Sequence, residues 1–122
     1  MDKYERASQA WAVLAWAARH RQTLTYQHLG QATGMHPAGI GMILDPIQDY
    51  CRDRNLPPLT VLVVQKDTGL PSSGFTAAQA VQTASDQAKV FSFDWLSYGN
   101  PQVQGLRDRA VPVIEEVPGP VS

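Results

Sequence analysis

Three features of this chain of 122 residues predict a small α+β domain. A helix start at Thr25 is closed off by Gly34, a second helical run opens at His36-Pro37, and Leu59–Gln65 (LTVLVVQ) is the one strongly β-like run. Helix, short turn, helix and β-ribbon in that order describe a helix-turn-helix backed by a wing. The expected architecture is therefore a winged-helix-like domain, a helix-turn-helix plus a short β-hairpin wing from Leu59 to Leu70, with flanking helices. It occupies residues 1–101, and 102–122 form a proline-containing tail.

The length suits one domain with a real core. Hydrophobic residues form 43% and charged residues 17%, so the chain folds unaided and carries a sparsely charged surface. A net charge of −1 lacks the basic excess with which many nucleic-acid binders neutralise phosphate. The single cysteine, Cys51, excludes an internal disulfide and a cysteine-based zinc cage and fits a reducing compartment. No apolar run approaches membrane-spanning length, and Asp2 and Glu5 break the order of a secretion signal. The expected location is cytoplasmic.

Along the chain, Asp2 and Glu5 form a capping pair, and Tyr4, Ala7, Trp11, Leu14, Ala15 and Ala18 recur at helical spacing. They predict an amphipathic helix from about Lys3 to His20, anchored by Trp11. Trp16 points off that stripe and is expected to lie under the C-terminal part of the chain. Arg19, His20 and Arg21 read as a helix C-cap, with positive charge against the dipole. Leu24 suggests a short strand, and Thr25 is a good N-cap for a helix Tyr26–Thr33 that Gly34 ends in a left-handed conformation. The next helix starts at His36-Pro37 and carries Ile40, Ile43 and Leu44 inward. Gly39 and Gly41 are poor helix formers, which implies close approach by another backbone or by a ligand, with close packing favoured.

Asp45-Pro46 repeats the cap-then-proline pattern, placing a further helix over about Pro46–Asn55 with Ile47, Tyr50 and Cys51 inside. Cys51 at core spacing reads as an inert buried thiol. Leu56-Pro57-Pro58 stops that helix, Leu59–Gln65 forms a strand covered on both faces, Lys66-Asp67-Thr68-Gly69 turns, and Leu70 pairs back before Pro71. Beyond Thr76 the composition favours helix with a thin stripe of Val81 and alanines. Phe91, Phe93, Trp95 and Leu96 are expected to pack over the first helix. Val111–Val117 either adds an edge strand or stays disordered.

The segment Thr25-Tyr26-Gln27-His28-Leu29-Gly30 resembles the S-Y-x-x-L-A segment of O6-alkylguanine-DNA alkyltransferases and alkyltransferase-like proteins. Gly34 keeps the family's spacing from that tyrosine, and Ile40-Gly41 is similar to the V-G of its recognition helix. The resemblance covers less than half the chain. It implies a DNA-binding domain in which Tyr26 presses on the backbone beside a flipped nucleotide. Laying Val63-Val64 on the valine pair that follows the family's proline-cysteine-histidine-arginine segment puts Thr60 at the nucleophilic cysteine, Val61 at the histidine and Leu62 at the arginine. The arginine that enters the duplex falls at Ala38. A threonine hydroxyl without a base beside it does not replace an activated thiolate, so alkyl transfer is not expected. Alkyltransferase-like proteins lack the cysteine as well and still bind damaged DNA.

The expected function is thus non-catalytic DNA binding, structure- or lesion-selective, through Tyr26, Gln27, His36, Arg52, Arg54 and Lys66. From Thr23 to Gly74, Arg52, Arg54 and Lys66 stand against Asp45, Asp49, Asp53 and Asp67, a slightly negative balance. The helix Pro37–Leu44 has no Lys, Arg, Asn or Gln for a base edge and offers phosphate only its first amides and His36. The alternative is a protein-interaction module that presents Trp16, Trp95, Tyr98 and the tail to a partner or a second copy. An enzyme ranks third, and no cofactor or metal is expected. His20, His28 and His36 fall on different elements, Asp45 reads as a cap, Asp49 as solvated, and Ser72-Ser73 is no nucleophile elbow.

Overall fold

A capping box starts helix α1 (Lys3–Arg19): the Asp2 carboxylate accepts from the Tyr4 and Glu5 amides, and the Glu5 carboxylate accepts from the Asp2 amide at 2.9 Å. In the computed structural model, which describes residues 1–71 and 77–108, this helix is the axis of the molecule. Ala7, Ala10, Trp11, Leu14, Ala15, Ala17 and Ala18 are all buried along it. The alanines let neighbouring elements approach closely, and Trp11 fills the space between them.

Strand β1 (Leu24–Thr25) leads into α2 (Tyr26–Thr33), whose last turn closes at Gly34 in the left-handed region, φ 73°. A single 3₁₀ turn, Pro37–Gly39, joins it to α3 (Ile40–Asp53). A second 3₁₀ turn, Leu59–Leu62, runs into strand β2 (Val63–Val64). Helices α4 (Ala77–Ser92), α5 (Trp95–Tyr98) and α6 (Val103–Arg107) complete the order. The two strands pair in parallel, Leu24 with Val63 and Thr25 with Val64. The domain is thus predominantly helical with a two-stranded parallel sheet, and the expected β-hairpin is not among the described elements.

Trp11 meets Tyr50 edge-on at 5.4 Å and Trp95 edge-on at 5.7 Å, and it stacks with Tyr98 at 6.4 Å. These rings tie α1 to α3 and α5. Trp95 is further fixed by its indole N–H, which donates to the Val90 carbonyl at 2.8 Å. The capping amide of Glu5 first, and Arg107 next, hold the Asp2 carboxyl below its ordinary value, and the Arg107–Asp2 ion pair, 2.7 Å, fastens α6 to the start of α1.

Four expectations are corrected. The wing is absent from the described residues: Leu59–Leu62 coils as 3₁₀, with the Val61 amide donating to the Pro58 carbonyl, and only Val63–Val64 is extended. An unbroken apolar run records burial on all sides, which α1, α3 and α4 provide, and burial alone does not distinguish strand from helical turn. The Lys66–Gly69 turn does form, and Leu70 reaches back to Gln65 through one hydrogen bond, 2.7 Å, without a ladder. Pro46 does not start a helix, because α3 runs through it and Asp45 caps nothing. The buried face of Ile43, Leu44, Ile47 and Tyr50 outweighs a lost backbone bond worth about 3 kcal/mol.

Val81 is 71% exposed, and the inner face of α4 is carried by Thr83 and Val90. Trp16 lies uncovered by the described residues at 55% exposure, and Leu96, expected inside, is equally exposed. The expected tail strand Val111–Val117 lies outside the described residues.

The Trp11 indole N–H is buried and has no acceptor among the described residues. Trp11→Ala is expected to cost about 3–5 kcal/mol. Trp11→Phe, which keeps a ring and deletes the unpaired donor, should cost markedly less. Chemical denaturation of both variants checks this, and equal losses would contradict the ring cluster as the centre of the core.

Candidate nucleic-acid interface

Thr25 both ends β1 and caps α2, its hydroxyl accepting from the His28 amide at 3.0 Å. That double role sets Tyr26 and Gln27 at the junction of strand and helix. At the far end of α2 the chain turns tightly, the Met35 amide donating to the Gly30 carbonyl at 2.8 Å. A Cβ at Gly30 would stand 2.5 Å from the Met35 carbonyl oxygen, so this position requires glycine. Opposite, the pairing of Thr25 with Val64 brings Gln65 and Lys66 alongside α2. Between them lies an open groove of about 590 Å³ lined by Tyr26, Gln27, Gln31, Gln65 and Lys66 around an apolar floor. No carboxylate is among its lining residues.

Tyr26 also lines a second groove, about 420 Å³, with Gly41, Leu44, Asp45, Gln48 and Thr60. The positions that the family resemblance assigns to the backbone-pressing tyrosine and to the alkyl acceptor thus share one concavity. The Tyr26 ring packs on the core and its hydroxyl donates to the Pro71 carbonyl at 3.1 Å. Burial pushes that hydroxyl above its ordinary pKa of 10.0, so it stays a donor at neutral pH.

Of the other expected contacts, His36 caps the 3₁₀ turn, Nδ1 accepting from the Ala38 amide at 3.1 Å, between Met35 and Pro37 at the margin of the first groove. Arg52 and Arg54 belong elsewhere. Arg52 pairs with Asp49 at 2.8 Å, and Arg54 lies 3.8 Å over the Tyr50 ring, whose hydroxyl meets that of Tyr98. The structure therefore gathers Tyr26, Gln27 and Lys66, sets His36 beside them, and leaves the two arginines at the end of α3. His20, His28 and His36 stand on separate elements, and no cluster of three metal-ligating side chains occurs among the described residues. Nor is any described helix long and apolar enough to cross a membrane.

Sequence reasoning took Arg19, His20 and Arg21 at the end of α1 as a helix C-cap in preference to a phosphate site, and expected Trp16 beside them to be covered. A signal for a surface site there was present: residues 6–44 contain no Asp or Glu but hold Arg6, Arg19, Arg21 and all three histidines. Arg6 is used internally, donating to the Thr33 carbonyl. Comparisons of the chain with protein-family models, with curated proteins and with solved structures found no match.

Cys51 lies in the core, away from both grooves. Burial pushes its thiol from 9.0 up to about 11, with a backbone hydrogen bond at Leu59 opposing. The Tyr50 hydroxyl is pushed from 10.0 up to about 12, by burial first and by its bond to Tyr98 next. Both groups stay neutral in the fold while the unfolded chain ionises first. Their stability contribution is whole below pH 9.0 and is lost as pH rises through about 11 to about 12. A thermal midpoint that falls steadily from pH 9.0 upward is expected. A midpoint unchanged to about 11 would contradict it.

The glycines make a second prediction. The turn at Gly30 tolerates no Cβ, whereas a Cβ at Gly41 meets nothing within 4 Å, contrary to the close packing expected there. Gly30→Ala should destabilise the domain, and Gly41→Ala should stabilise α3 by about 0.5–1 kcal/mol. Thermal melts of the two variants moving in the same direction would refute this account of the turn.

Proposed function

We propose that this chain is a non-catalytic nucleic-acid-binding module, a reduced winged helix related to alkyltransferase-like proteins, with DNA backbone lying along the groove between α2 and the turn after β2. The observation that carries this reading is the convergence of Tyr26, Gln27 and Lys66 on one open groove without a carboxylate. Lys66 supplies a phosphate charge, Gln27 and Gln31 supply neutral donors, and Tyr26 supplies a ring fixed by its bond to Pro71. The helix pair α2–α3 serves as the helix-turn-helix, and the Gln65–Leu70 turn stands where a wing would. Selectivity for an extruded or alkylated base comes from the second groove, in which Thr60 takes the acceptor's place beside Tyr26.

With one cation in the groove, binding is modest in affinity and indifferent to base sequence. A second reading, a protein-interaction module or homodimer, is favoured by Met42, which α3 holds 62% exposed, and by the exposed Leu96.

Binding to labelled duplex, single-stranded and O6-alkylguanine-containing DNA across a salt series tests the proposal. Lys66→Ala should weaken duplex binding for every sequence alike and lower the slope of log K against log salt by about 0.9. Tyr26→Ala would empty part of the core, so Tyr26→Phe is the informative change: it should cost about 0.5–1.5 kcal/mol of stability and leave the ring in place. No binding to any of the three DNAs at low salt would reject the proposal and leave the protein-interaction reading. Preference for the alkylated duplex would support lesion selectivity.

A further inference from the structure

We propose that the C-terminal end of α1 is a second nucleic-acid contact, a stacking platform for an unpaired base with Arg19 and Arg21 on the flanking phosphates. It rests on the nucleic-acid reading but uses none of the groove residues. Trp16 is 55% exposed and lies against the His20 ring, centroids 4.1 Å apart and planes 29° from parallel. His20 Nδ1 donates to the Trp16 carbonyl at 2.9 Å, which fixes the imidazole under the indole and braces the pair as one ledge. An aromatic ledge with one face in solvent is what a base stacks on, whatever its identity.

Arg19 and Arg21 flank His20 of the ledge in the chain. Neither Arg19 nor Arg21 has a carboxylate partner among the described residues, and both line a cleft of about 290 Å³ with Phe91, Ser92, Phe93 and Asp94. Arg21 lies 5.9 Å over the Phe91 ring. Asp94 is engaged as the cap of α5, its carboxylate accepting from the Ser97 amide at 3.1 Å.

The backbone adds an independent observation. Helix α1 ends in a Schellman turn, with the Gln22 amide donating to the Ala17 carbonyl at 2.9 Å and the Arg21 amide to the Ala18 carbonyl at 3.1 Å. Arg21 occupies its left-handed position at φ 55°, where glycine is the favoured residue. Asn55 takes the same conformation, φ 56°, at the end of α3. Arg21 and Tyr26 are separated by at most about 18 Å of extended chain. An acidic peptide would use the two cations and leave the indole idle, which makes nucleic acid the better fit.

Titration of the full chain with a single-stranded oligothymidylate tests this. Binding should quench the fluorescence of the exposed Trp16, since Trp11 and Trp95 are buried. Trp16→Ala should weaken affinity roughly five- to 150-fold. Arg21→Gly should raise the melting temperature while weakening binding, and combined with Arg19→Gln it should lower the single-strand salt slope by about 1.4, two phosphates at about 0.7 each. The platform is overturned if Trp16→Ala and Arg21→Gly bind as the unaltered chain does, or if polyglutamate competes as well as oligothymidylate. If Lys66→Ala leaves binding untouched while Trp16→Ala abolishes it, the groove reading falls and the platform stands; the reverse removes the platform alone.

Discussion

The arrangement of this domain depends on α1, which buries seven of its seventeen residues against elements on several sides. Large side chains on every face would hold neighbours apart. Here five buried alanines let other elements close in, and Trp11 fills the one wide gap with an aromatic cluster drawn from α3 and α5. The two-residue strands have no independent stability at that length. They persist because Val63 is fully buried and Leu24 packs against the same core. The core thereby fixes the single pairing that carries Lys66 to Tyr26, and the groove is a product of how α1 is packed.

Where local chemistry decides the outcome, the fold was legible in the amino-acid order. The capping box at Asp2, the Thr25 cap and the left-handed Gly34 are short-range devices, and the bounds of α1 and α2 follow from them. Where tertiary packing decides, local signals misled. Asp45-Pro46 has the form of a helix start, yet the inward face of α3 continues through it. LTVLVVQ has β composition, yet burial among three helices accommodates a 3₁₀ turn as readily. Val81 was misjudged because periodicity locates a stripe but not the partner that covers it. The site was half legible, since Tyr26 and Gln27 adjoin a readable cap, whereas Lys66 joins them only through the parallel pairing.

A net charge of −1 argued against a nucleic-acid partner, but net charge averages over a surface that is not uniform. Residues 6–44 carry no acid, and the first groove and the end of α1 both draw on that stretch. The acids of α3 begin at Asp45, and one of them, Asp49, is spent on Arg52. The count over Thr23–Gly74 left out Arg19 and Arg21, and residues 23–44 add no Lys, Arg, Asp or Glu to it, so its balance describes only the residues from Asp45 onward. Sign distribution along the chain, read against which face each element presents, is the more informative quantity.

The placement of the one thiol separates recognition from chemistry. This chain has Thr60, and not a cysteine, at the wall of the second groove. Its only cysteine is in the core, where burial holds the sulfur protonated to about 11. Tyr26 lines both concavities at once, so under the proposed function a backbone in the first would bear on the same ring that borders the second. A ring anchored to Pro71 on one side and to the core on the other moves little, and contacts on its two faces are therefore sensed through a rigid element. Under the proposed function that arrangement would hold a deformed strand in place, a task that needs shape and fixed donors and makes no demand for a nucleophile.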